Sequence, residues 1–140
     1  MKIGKLYKEV LNQIDILRQK PDLKKEDLLN ISFYHGTTLE SWKTEATETY
    51  LFVIDEIEVA KQHGIDRVES SINNNGNERT AIVVQINVRD IINLRWEADD
   101  DMGRWNYKTW QESWKEVGSF VIIGHFDSNN FKIVWKQTYQ

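Results

Sequence analysis

His35 follows the apolar run 31–34 and precedes Gly36, Thr37 and Thr38. A histidine in that place can hydrogen-bond a ribose hydroxyl. The glycine lets a ligand approach the main chain, and the amides of a polar turn can take a carboxamide or a phosphate. The same residues also suit a turn whose histidine is only structural. His63 reads as a residue near a helix end, where an imidazolium complements the helix dipole. His125 reads as a structural histidine in an apolar strand. The three histidines form no local ligand pair such as H-x-x-x-H, so no metal is expected. Glu97, Asp99, Asp100 and Asp101 place four acids in five positions. Oxygen ligation of a divalent cation is one reading of them, but the spacing lacks the glycine and terminal glutamate of an EF-hand, which favours a solvated loop. Glu112 and Glu116 lie one helical turn apart, either beside a cleft or on an ordinary exposed face. No P-loop, nucleophile elbow or GxGxxG pattern is present.

These side chains need elements to hold them. Leu6, Val10, Ile14 and Leu17 recur at helical spacing, with Lys5, Lys8, Asp15 and Arg18 on the other face. Pro21 ends that helix, and Asp22 can cap a short second one through Leu28 and Leu29. Residues 31–34 and 50–54 read as strands. Asp55 with Glu58 has capping-box spacing for a helix that Gly64 would close. Residues 70–79, rich in asparagine, read as an exposed loop. A buried strand is expected over 80–88 and another over 91–96. Asn106 can cap a helix carrying Trp110, Trp114 and Val117, closed by Gly118. Two strands, 120–126 and 131–135, end the chain, the last with Phe131, Ile133 and Trp135 on one buried face.

The bulk composition sets further bounds. The 140 residues suffice for one domain with a real core. Six Trp, five Tyr and five Phe supply the large apolar surface that core needs. A net charge of −4 argues against a broad electrostatic grip on phosphate backbones. The absence of cysteine excludes disulfides, thiolate catalysis and cysteine-ligated metals, and fits a reducing cytoplasm. No run approaches the roughly 20 apolar residues of a membrane span, and no signal peptide is evident. The expectation is a soluble, cytoplasmic protein with no membrane partner.

Taken in order, three segments form a familiar succession: Phe33-Tyr34-His35-Gly36-Thr37-Thr38; Tyr50-Leu51-Phe52-Val53 running into Asp55-Glu56-Ile57-Glu58; and the strand 81–88. The succession resembles the diphtheria-toxin-like branch of the ADP-ribosyltransferase superfamily, which includes poly(ADP-ribose) polymerases and tRNA 2′-phosphotransferases. Residues 110–118, 120–126 and Ile133 also look like the end of small bacterial and phage proteins of this group. The likeness covers roughly residues 31–135. It implies an α+β fold of split antiparallel sheets with flanking helices over residues 31–140, with residues 1–30 as an added N-terminal helical extension.

The resemblance also implies a chemistry: NAD as substrate, loss of nicotinamide through an oxocarbenium-like state, and attack by a protein or nucleic-acid acceptor. His35 would hold a ribose of NAD, Gly36 would bond the nicotinamide amide with Thr37 beside it, and Tyr50 would stack on the nicotinamide ring. A carboxylate normally steadies the ribose. The family places it near Ser119 and Phe120, and neither is acidic. Glu112, or Glu116, would have to reach the cleft instead, with Gln111 on a ribose hydroxyl. A catalytically silent NAD or ADP-ribose binder is one alternative. The other is a protein-interaction or inhibitor module using the acids at 97–101 with Arg104, Trp105 and Tyr107.

Overall fold

The computed structural model describes residues 13–45, 50–101 and 103–140. One six-stranded sheet organises them, every pairing antiparallel, in the order β4-β5-β2-β1-β3-β6. The strands are β1 (Ser32–Thr38), β2 (Tyr50–Ile54), β3 (Thr80–Asn87), β4 (Arg95–Glu97), β5 (Ser119–Ile123) and β6 (Lys132–Thr138). The helices are α1 (residues 13–18), α2 (Leu39–Glu45), α3 (Ile57–Asn73) and α4 (Trp110–Val117). The expected α+β class is therefore observed. No helix among the described residues is long and apolar enough to cross a membrane.

The sheet is not uniform. β1 shares seven register pairs with β3, and β2 shares five with β5, but β1 and β2 meet only at Tyr34 and Ile54. Two three-stranded halves thus join through a single register pair.

Each face of the sheet carries its own core. Phe33, Trp96, Trp110, Trp114 and Phe120 fill one face, with the Trp96 ring stacked 4.4 Å from that of Phe120. Leu23 and Leu28 are buried in this same core, and Ile14 and Leu17 pack against it. The described part of the N-terminal segment is thereby tied to the sheet. On the other face α3 lies close to β1. A Cβ on Gly36 would collide with the backbone carbonyl of Ala60, and one on Gly64 would sit 2.9 Å from the Thr37 carbonyl oxygen. Glycine at both points lets helix and strand backbones touch.

That contact corrects several expectations. Gly64 is not a helix stop but a mid-helix packing residue, and α3 runs on to Asn73, taking in the start of the expected 70–79 loop. Asp55 does not cap α3: the cap position is Glu56, with no side-chain bond, because Asp55 is engaged elsewhere. Residues 35–38 are strand, not turn, since each pairs with a residue of β3. α4 is capped by Thr109, whose Oγ1 accepts from the Glu112 amide, rather than by Asn106. Gly118 closes that helix as expected, at φ 76°.

The segment after β3 turns over Val88–Asp90, and only Arg95–Glu97 is extended. β5 ends at Ile123, which leaves His125 exposed beyond it. Residues Lys25–Leu28 form a short 3-10 turn that follows Lys24, not Asp22. β6 is an edge strand with a bulge opposite Val83 and Val84. Its alternation breaks there, and Ile133 is 42% exposed instead of buried. Of the first amphipathic helix, Leu6 and Val10 lie outside the described residues.

Candidate active site in the split of the sheet

His35 sits where the two half-sheets part. Its ring is buried, and Nδ1 lies 2.6 Å from the carbonyl oxygen of Phe52 on β2. A carbonyl oxygen only accepts, so Nδ1 carries a proton and donates it to Phe52. The side chain thus spans a gap that the main-chain ladder has stopped spanning. Trp42 of α2 flanks the ring at 5.9 Å between centroids.

Phe52 connects this histidine to a second one. Its carbonyl holds His35, while its ring lies 5.3 Å from that of His63 on α3. Phe52 and His63 line an open cavity of about 370 Å³ with Tyr50, Asp99, Asp100 and Asp101. Tyr50 opens the strand at 54% exposure, so its ring is presented to solvent and to the cavity. Its hydroxyl is held above its usual pKa, first by partial burial and then by the negative charges of Asp100, Asp99 and Glu97. His63 is pushed below its ordinary value by burial and by His35, while Asp66, Asp99 and Asp101 pull the other way. His35 and the acid loop therefore act on the same imidazole.

Asp99 is the buried member of that loop, 5% exposed. Its Oδ2 accepts from Ser119 Oγ at 2.8 Å and its Oδ1 from the Asp101 amide at 2.9 Å. The Asp99 amide donates to Ser113 Oγ, which bonds the Ser119 carbonyl at 2.8 Å. The reading of 97–101 as a solvated loop holds for Asp100, which is exposed, but not for Asp99.

The remaining expected residues scatter around this centre. Gly36 abuts Ala60, as above. Thr37 is buried, and its Oγ1 accepts from Arg67 at 3.2 Å in a network where Thr38, Ser41 and Arg67 all meet Glu78. Glu112 and Gln111 are on α4, away from the His35 gap. Glu112 accepts from the Lys108 amide at 3.0 Å, and Gln111 donates to the Leu23 carbonyl at 3.4 Å. Both line a groove of about 490 Å³ with Leu23, Lys24 and Lys115. The structure gathers His35 and Tyr50 around Phe52, places Glu112 in the other groove, and puts Gln111 both in that groove and in a pocket with Glu97 and Asp100. No group of three or more His, Asp or Glu among the described residues could hold a metal ion.

Sequence reasoning passed over His63 and Asp99 as site residues. For His63 a signal existed: Ala60, Gly64 and Val68 repeat at i, i+4, i+8 and form the buried stripe of α3. A packing glycine in that stripe puts His63 in mid-helix facing β2, not at a terminus. For Asp99 no local signal exists, because its partner Ser119 lies twenty residues later. Compared with protein-family models, curated proteins and solved structures, the chain matches none.

Proposed function

We propose that the split between β1 and β2 is a binding cleft for NAD and that the protein is an ADP-ribosyltransferase-like enzyme releasing nicotinamide from it. One observation carries this reading: β1 and β2 share a single register pair, and His35 of the His-Gly-Thr run closes the gap through Phe52, with Tyr50 on the cavity beyond. A sheet that parts at one point gives a ligand access to strand edges and to side chains of both halves. The Nδ1–H bond to the Phe52 carbonyl fixes the imidazole at the gap between the two strands. Tyr50 supplies an aromatic face, and the acids beside it favour a cationic pyridinium ring.

The test is mass spectrometry of the protein incubated with NAD, comparing wild type with His35→Ala and monitoring folding by thermal unfolding. Wild type is expected to release nicotinamide and the variant to lose at least about a hundredfold in rate, as expected for a positioned group of this kind. Equal release by a folded His35→Ala variant overturns the assignment. Saturable NAD binding without release by wild type would instead mark a silent binder.

A further inference from the structure

We infer that Asp99 is the carboxylate that faces the developing positive charge in this cleft, reaching it from the loop after β4 while Ser119 holds it at the start of β5. The inference rests on the reading of the cleft as an NAD site. The chemistry sets the requirement. When the C1′–N bond of NAD breaks, the electron pair goes to the pyridinium nitrogen, neutral nicotinamide leaves, and positive charge spreads over C1′ and the ribose ring oxygen. Water or an acceptor hydroxyl then adds at C1′ and gives up its proton. A fixed anion beside C1′ in a partly dry site lowers that barrier most when it need not reorganise.

Asp100 and Asp101 line the same cavity but are less buried than Asp99, and several other acids are committed elsewhere. Asp55 accepts from Arg18 and Trp114, Glu78 from Thr38 and Ser41 beside Arg67, and Glu40 from the amides of Arg79 and Thr80. Glu112 accepts from the Lys108 amide in a different groove. Asp99 differs from all of these. It is more than nine-tenths buried, it lines the Tyr50 cavity, and no lysine or arginine among the described residues forms an ion pair with it. Burying a carboxylate without a counter-cation is costly, and a cation arriving in the adjoining cavity offsets that cost.

Asp99 is also pre-aimed. One hydrogen bond fixes each oxygen, from Ser119 Oγ and from the Asp101 amide, and Ser113 ties the Asp99 backbone to Ser119. A carboxylate has about four acceptor positions, so two remain for ribose hydroxyls or the C1′ charge. Ser119 itself is paired with Ile54 of β2, so the hydroxyl that holds Asp99 is fixed to the same strand that carries Tyr50 and Phe52.

The experiment separates binding from chemistry. NAD affinity by calorimetric titration and single-turnover nicotinamide release are measured for wild type, Asp99→Asn, Asp99→Glu and Ser119→Ala. Near-UV circular dichroism of the tryptophans reports folding. Asp99→Asn keeps the bond from the Asp101 amide, can keep the Ser119 contact only with the hydroxyl turned to accept, and loses the charge. It is expected to bind NAD within about threefold of wild type and to release nicotinamide at least a hundredfold more slowly. Asp99→Glu should recover part of that loss. Ser119→Ala, which leaves the charge but frees its orientation, should lose about tenfold in rate with affinity unchanged. Release by Asp99→Asn within threefold of wild type overturns the inference. Should Asp99→Asn fail to fold, an unchanged rate in Ser119→Ala overturns it equally. A wild-type protein that neither binds nor cleaves NAD would bring down the cleft reading itself. That result is distinct from an active enzyme indifferent to Asp99.

Discussion

Two buried aspartates flank the place where α4 passes into β5. The Asp55 amide bonds the Gly118 carbonyl at 3.0 Å, and Asp99 accepts from the very next residue, Ser119. Their surroundings differ in kind. Asp55 receives Arg18 Nη2 at 2.7 Å and Trp114 Nε1 at 2.9 Å, and the Arg18 guanidinium also lies over the Trp114 ring. Burial nevertheless raises its pKa, so desolvation outweighs the attraction of Arg18. Asp99 has a hydroxyl and an amide as its donors and a cavity beside it. A buried acid paired with a cation and an indole closes a structural joint between α1, α4 and β2. Asp99, bonded among the described residues by a hydroxyl and an amide, lies instead at the edge of a cavity that a ligand can enter.

The comparison is broken most directly at Asp55. Asp55→Ala strands a buried indole N–H and a half-buried guanidinium, and is expected to cost about 3–5 kcal/mol in urea unfolding. Asp55→Asn keeps an acceptor for both donors and removes a charge that burial disfavours, so its cost should be about 1 kcal/mol. Nearly equal losses would mean the charge itself holds the joint. On the other side, Ser113→Ala removes the hydroxyl linking Asp99 to Ser119 and should cost about 1–2 kcal/mol. Asp99→Asn keeps one acceptor oxygen for the Asp101 amide and turns an NH2 toward Ser119 Oγ, whose hydroxyl must then accept, so it should cost about 1–2 kcal/mol. A stability loss at Asp99→Asn matching Asp55→Ala would make the two acids alike and remove the contrast.

How much of this was legible from the sequence depends on the distance over which each feature is fixed. The strand expected over 80–88, observed as Thr80–Asn87, the strand 50–54 and the helix closed by Gly118 follow from local apolar runs and a local glycine cap. The two errors nearest the site share a cause. Gly64 and the run 35–38 look like a stop and a turn because glycine and hydroxyl residues favour both. Here the close approach of α3 to β1 requires the glycines, and β3 pairs with the whole of β1. Asp55 looked like a cap because Glu58 follows at the right spacing, but Arg18 and Trp114, 37 and 59 residues away, compete for its carboxylate and win. His35 and Tyr50 could be singled out as candidates because each sits on its own apolar run. Asp99 could not, because what singles it out is burial against Ser119 across two elements.

The finest separation of the two acids comes from His63 as a reporter. Its folded pKa is depressed below 6.5, mainly by burial. The unfolded chain therefore binds more protons than the folded one between those values, and this contribution to stability rises with pH up to 6.5 and is lost on acidification through the window. Asp55 has the opposite sign: its folded pKa lies above 3.8, so its contribution falls as pH rises through that window. Urea midpoints across pH 4–8 should lose the rising limb in His63→Phe and the falling limb in Asp55→Asn. Imidazole NMR titration sharpens this further. Asp99 raises the His63 pKa and Asp55 is not among the groups acting on it, so Asp99→Asn should depress it again and Asp55→Asn should leave it in place. A His63 titration shifted by Asp55→Asn and untouched by Asp99→Asn would place the open charge on the wrong side of β5.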